Sequence, residues 1–227
     1  MSTDNTTTVA APFHVRDCAL ITLATGVRAI SLRELAEGVR RVELSSIYHH
    51  FWGRLLQPMF DEPEYNNDFA SWAYWALHDK TAAERLSMID PTEYGDIEEL
   101  RQVLVDTIEA RLDESGQQLW APADSQFYFL QSQLVVLPTQ HSVENPGELA
   151  GLLPTLPAGS IYYHFIDARR RTAASIDDFS VWLGESPGDH AALIDRLGGI
   201  DPFFSSLQHI RQMLAKIFRE HFGGGAR

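Results

Sequence analysis

Apolar positions recur with a helical period along most of the chain. Leu32, Leu35, Val39 and Val42 follow at three- and four-residue steps, which places them on one face of a helix. Phe69, Trp72, Ala73, Ala76 and Leu77 fall at i, i+3, i+4, i+7 and i+8, a full amphipathic stripe. Leu100, Leu104 and Ile108 repeat the pattern, as do Leu207, Ile210, Leu214 and Ile217. Start signals agree with the stripes. Ser31-Leu32-Arg33-Glu34 is a capping box, and Asn145-Pro146-Gly147-Glu148 offers an N-cap with proline in the first turn. Thr81-x-x-Glu84 predicts a further start, and Asp68 and Asp178 are expected to be N-cap carboxylates of the helices that follow them. Two segments break the period. Phe127-Tyr128-Phe129 followed by Leu134-Val135-Val136-Leu137-Pro138 reads as strand from its aromatic and β-branched content. Cys18 to Thr25, ending at Gly26, fits a strand or a capped helix. The fold expected is mainly α, becoming α+β if segments 17–26 and 127–138 are strands that pair with each other.

The patterns occur twice. Ser46-Ile47-Tyr48-His49-His50-Phe51 returns as Ser160-Ile161-Tyr162-Tyr163-His164-Phe165, 114 residues on. Glu34-Leu35-Ala36 and Glu148-Leu149-Ala150 share that offset, as do Phe13 and Phe127. Downstream the offset shortens to about 110. Asp68-Phe69-x-x-Trp72 then matches Asp178-Phe179-x-x-Trp182, and Arg101-Gln102 matches Arg211-Gln212. The first copy carries the difference between Gln57 and Asn67. A period of about 100 residues is too long for a solenoid and fits a tandem, pseudo-twofold duplication of a helical unit, with about five helices to each copy. The expected organisation is a tail at 1–12, a first repeat at 13–112, a linker at 113–126, a second repeat at 127–222 and a tail at 223–227.

Composition narrows the function classes. The 227 residues hold 18 Lys+Arg against 31 Asp+Glu, a net charge of −13. That field repels phosphate backbones and anionic lipid, which argues against nucleic-acid and membrane partners. Lys80 and Lys216 are the only lysines, so Schiff-base chemistry has little to work with. Cys18 is the only cysteine, which excludes an internal disulfide and a cysteine-rich metal site. No apolar run reaches the roughly 18–20 residues that span a bilayer, and Met1 to Pro12 shows no basic-then-apolar leader. A cytoplasmic protein is expected. Of the common nucleotide-binding motifs, neither a P-loop nor Gly-x-Gly-x-x-Gly is present.

The pairing of Ser-Ile-Tyr-x-His-Phe with Asn-Asp-Phe-x-x-Trp resembles an uncharacterised prokaryotic domain-of-unknown-function family. Those motifs read Ser46 to Phe51 with Asn67-Asp68-Phe69-Ala70-Ser71-Trp72, then Ser160 to Phe165 with Asp177-Asp178-Phe179-Ser180-Val181-Trp182. The likeness covers nearly the whole chain. It implies a shared fold and supplies no activity; an association of the family with carbohydrate metabolism implies a sugar-type ligand as one option.

The residues with chemistry to offer are few. His50 and His164 recur, with Tyr48 and Tyr162 beside them and Asp68 and Asp178 downstream. Two imidazoles and two carboxylates make either a divalent-metal set or an acid–base pair at the repeat interface. Equally, a buried imidazole needs hydrogen-bond partners, and the same residues would satisfy it with no ligand. Arg169-Arg170-Arg171 would clamp a phosphate or a sugar phosphate, or neutralise Asp167, Asp177 and Asp178. Asp61-Glu62-Pro63-Glu64 lacks the spacing of a calcium loop. Cys18, in an apolar run, reads as a small core residue. Tyr74 and Trp75 fall off the buried stripe and are candidates for a docking surface or a sugar platform. Two functions are therefore expected to compete. One is a non-enzymatic binding or adaptor protein with a protein partner. The other is a metal- or ligand-binding protein or enzyme, acting on a sugar or phosphorylated metabolite.

Overall fold

The computed structural model describes residues 11–57, 64–115, 122–172 and 174–223. Most of each expected tail, residues 61–63 of the acidic Asp61–Glu64 run and the middle of the expected linker lie outside the described residues. The order of elements is β1 (Phe13–Ala29), α1 (Leu32–Arg41), α2 (Leu44–Trp52), α3 (Asp68–Trp75), α4 (Lys80–Ser87), α5 (Ile97–Ser115), β2 (Phe127–Val143), α6 (Pro146–Leu152), α7 (Ala158–Ile161), α8 (Ala168–Arg171), α9 (Asp178–Glu185), α10 (Ala191–Gly198) and α11 (Leu207–Gly223). A 3₁₀ turn at Gly53–Leu56 extends α2, and a π-helical turn at Tyr162–Asp167 joins α7 to α8. The described residues are mainly helical, with one two-stranded sheet. No helix among the described residues is long and apolar enough to cross a membrane.

Both segments left open by the sequence are strands, and they pair with each other. Thr25 Oγ1 donates to the Phe129 carbonyl and Thr139 Oγ1 to the Val15 carbonyl. Partners therefore run in opposite directions along the two strands, which makes the ribbon antiparallel. Gly26 sits at φ +79°, a left-handed conformation that glycine adopts without steric cost.

The compact units do not follow chain order. One comprises residues 20–135, and the other residues 1–19 with 136–227. In the first, α1 to α5 enclose Leu35, Val39, Ile47, Phe51, Leu100 and Leu104, together with Phe127 and Phe129 from the start of β2. Phe127 stacks on Phe69 at 5.3 Å between ring centroids and meets Trp72 edge-on at 5.6 Å. In the second unit, α6 to α11 enclose Leu149, Ile161, Phe165, Leu193, Leu214 and Phe218, together with Phe13 and Val15 from the start of β1. Phe13 stacks on Phe179 and packs on Trp182, each at 5.3 Å. Each buried phenyl contributes about 1.5–3 kcal/mol. The strand ends are thus part of the helical cores.

Local signals held with small shifts. Ser31 caps α1 by accepting from Glu34 N, while the Glu34 carboxylate reaches back to Ile30 N. Asn145 caps α6. The start of α4 is capped by Asp79, not by the expected Thr81. The caps of α3 and α9 are Asn67 and Asp177, which accept from Ala70 N and Ser180 N. Asp68 and Asp178 are not the caps; each occupies the first helical position, and its carboxylate is free to turn elsewhere. The matched arginines hold helix ends: Arg101 donates to the Val39 and Arg40 carbonyls, Arg211 to that of Leu156.

Candidate functional site

His50 lies in the last turn of α2, and its ring is 2% exposed. Its Nδ1 is 2.9 Å from Asp68 Oδ2, and its Nε2 accepts from the Leu130 amide at 3.1 Å. The second unit repeats the arrangement with other residues. His164 Nδ1 is 2.8 Å from Asp178 Oδ2, and its Nε2 accepts from the Arg16 amide at 2.8 Å. A nitrogen that accepts an amide proton carries none itself, so the ring's proton sits on Nδ1 and is donated to the carboxylate. Each imidazole therefore ties a helix to a strand, and neither nitrogen keeps a lone pair for a metal or a substrate. The rings Phe127 and Phe69 pack around His50, as Phe13 and Phe179 do around His164.

A third residue that sequence reasoning passed over joins the first unit's cluster. His49 Nδ1 lies 2.6 Å from Ser132 Oγ, and the His49 ring packs against the backbone of Gly53. His49, His50 and Asp68 each bring one potential ligand atom within 4.8 Å of the others. Burial, then the neighbouring His50, lowers the His49 pKa to about 4 against the weaker opposing pull of Asp68. His49 is accordingly neutral at pH 7. The only sequence hint was the adjacency of two histidines, and Tyr163 holds the matching position in the other unit. There Cys18 donates to the Gly159 carbonyl at 3.2 Å, and burial followed by Asp17 and Asp167 pushes its thiol up to about 12. Such a thiol is not a nucleophile at neutral pH.

The remaining candidates fall into two groups. Tyr48 and Tyr162 are buried, Tyr48 against Trp52. The arginine run faces carboxylates of its own unit. Arg170 donates to Asp167 at 2.7 Å, and Arg171 bridges Asp167 at 2.8 Å and Asp178 at 3.0 Å. Arg169 stacks over Phe165; burial lowers its pKa against the opposing charges of Asp177 and Asp201. Arg54 stands 3.6 Å from Asp68 in the first unit. The other group is open to solvent. Trp75, at the end of α3, is 65% exposed, and its ring meets the half-buried Tyr74 edge-on at 4.9 Å. Tyr65 extends the array, 5.3 Å from Tyr74.

The sequence profile of the family of unknown function DUF5752 matches residues 10–219. The chain belongs to this family. The matched span includes both strands and both histidine ties, and the family's function is unknown. Among solved structures, OrfY from Thermoproteus tenax is similar at 29% identity with a TM-score of 0.79. That match covers 92% of this chain and 95% of OrfY. No curated protein matches the sequence.

Proposed function

We propose that this DUF5752 member is a non-enzymatic binding or adaptor protein that docks a partner protein on the exposed aromatic end of α3. The observation that carries the reading is Trp75, 65% exposed at the end of a helix whose Phe69 and Trp72 are buried. An indole left in water next to a second aromatic ring is an anchor of the kind that dominates protein interfaces. The repeated histidines and the arginine run spend their polar groups inside their own units, which leaves that face as the better place for recognition. We infer also that the chain is a tandem duplication of a roughly 100-residue helical unit. The recurrence of one histidine tie, with His50, Asp68 and Leu130 answered by His164, Asp178 and Arg16, supports this.

The competing reading is a metal or small-molecule site on His49, His50 and Asp68, favoured by their mutual approach within 4.8 Å. It requires His50 to give up either the Leu130 amide or the Asp68 carboxylate. Native mass spectrometry of the untagged protein, isolated gently from its own cells, separates the two. A protein at fixed stoichiometry in the wild type, absent from Trp75→Ala, is the outcome expected for the adaptor. A small mass excess that disappears in His50→Ala, with the fold intact, would move the assignment to the histidine cluster.

A further inference from the structure

The face that ends α3 is more than apolar. Tyr65, Tyr74 and Trp75 form a continuous array, with centroid steps of 5.3 Å and 4.9 Å. Burial, and then the charge of Glu64, with smaller contributions from Tyr74 and Glu84, raises the Tyr65 phenol above its usual range. Among the described residues neither Glu64 nor Glu84 makes an ion pair, whereas Asp79 is held by Arg111. The array already draws one cation of this chain: Lys80 Nζ stands 5.8 Å from the centre of the Tyr74 ring. No cation lies over Trp75 among the described residues. Aromatic faces attract cations through the ring quadrupole, indole most strongly, and flanking carboxylates reinforce the attraction.

Resting on the docking reading above, we propose that the occupant of this face is an arginine-bearing, basic segment of a partner protein. A guanidinium suits it better than an ammonium. It is planar and weakly hydrated, so it stacks on the exposed indole with little desolvation cost. Its fork of donors also stays available to acidic groups of this chain, such as Glu64 and Glu84, while it is stacked. The chain's net charge of −13 draws such a segment in from a distance and repels acidic competitors.

The test uses the full chain and three synthetic octapeptides alternating glycine with arginine, lysine or glutamate, with maltotriose as a neutral sugar probe. Binding is read by isothermal titration calorimetry. The arginine peptide is expected to bind most tightly and the glutamate peptide not at all. Trp75→Ala should weaken the arginine peptide by roughly 5- to 30-fold, and Glu64→Gln/Glu84→Gln by several-fold, each with an unchanged thermal melt. Equal binding to wild type and Trp75→Ala, or no binding of the arginine peptide at millimolar concentration, overturns the proposal. Maltotriose binding that is lost in Trp75→Ala would make the face a sugar platform and also overturn it. The two readings fail differently. A co-purifying partner lost in Trp75→Ala but retained in Glu64→Gln/Glu84→Gln leaves the docking face standing and removes its basic occupant. A partner retained in Trp75→Ala removes the docking face itself.

Discussion

At the scale of single residues, the polar groups of the interior decide how the protein responds to acid. His49 is buried and its pKa is lowered to about 4, so between that value and the ordinary 6.5 the unfolded chain binds a proton that the folded chain refuses. Stability contributed by the neutral ring is fully present above pH 6.5 and is lost as pH falls toward 4, by up to about 3 kcal/mol. Urea unfolding at pH 7.5 and 4.5 should show that loss in the wild type and a clearly smaller one in His49→Asn, which keeps a polar partner for Ser132. An identical loss in both would sink the assignment. Ser46 and Ser160 carry the opposite expectation. Both hydroxyls are fully buried and meet no partner among the described residues. Ser46→Ala and Ser160→Ala should therefore be neutral or stabilising by up to about 1 kcal/mol in the same assay. At this scale the sequence singled out the histidines and their aspartates, but it misassigned the aspartates as caps. A stripe of apolar residues locates a helix start only to within a residue or two. Moving the cap back to Asn67 and Asp177 is what releases Asp68 and Asp178 to face an imidazole.

Between elements, the close approach of strand to helix rests on small residues that periodicity does not flag. A β-carbon at Gly159 would overlap the Cys18 carbonyl oxygen and the Asp17 carboxylate. The backbone of β1 lies directly on α7, where Cys18 hands its thiol proton to the Gly159 carbonyl. Gly159→Ala should cost more than about 2 kcal/mol, because the obstacle is main chain and cannot rotate away. Thermal denaturation followed by circular dichroism measures it. An unchanged melting temperature would mean that β1 is not pressed against α7. Helices such as α3 were legible because they are amphipathic, with Phe69, Trp72 and Ala73 facing inward. The strands were harder for the same physical reason. Ile21 and Leu23 on β1 and Val136 and Leu137 on β2 are exposed despite being apolar. An in–out alternation needs one buried face, so the middle of the ribbon leaves no period-two signal in the sequence.

For the molecule as a whole, the order of the chain and the order of its cores differ. Helices α1 to α5 take Phe127, Phe129 and the Leu130 amide from beyond the expected linker, while α6 to α11 take Phe13, Val15 and the Arg16 amide from the opposite end of the sequence. Motifs that recur 114 residues apart do not say which strand covers which helices, since hydrophobic faces carry no address. Cutting the chain between residues 118 and 119 therefore parts each set of helices from its own covering phenylalanines. Losing one such ring costs about 3–5 kcal/mol, so losing two uses up most of the 5–15 kcal/mol that a domain has. Fragments 1–118 and 119–227, made separately, should each show weak helical circular dichroism without a cooperative melt, and mixing them should restore both. Fragment 1–118 melting cooperatively by itself with native helix content would show that Phe127 and Phe129 are dispensable to its core. The chain would then divide at its linker, as its sequence alone suggests.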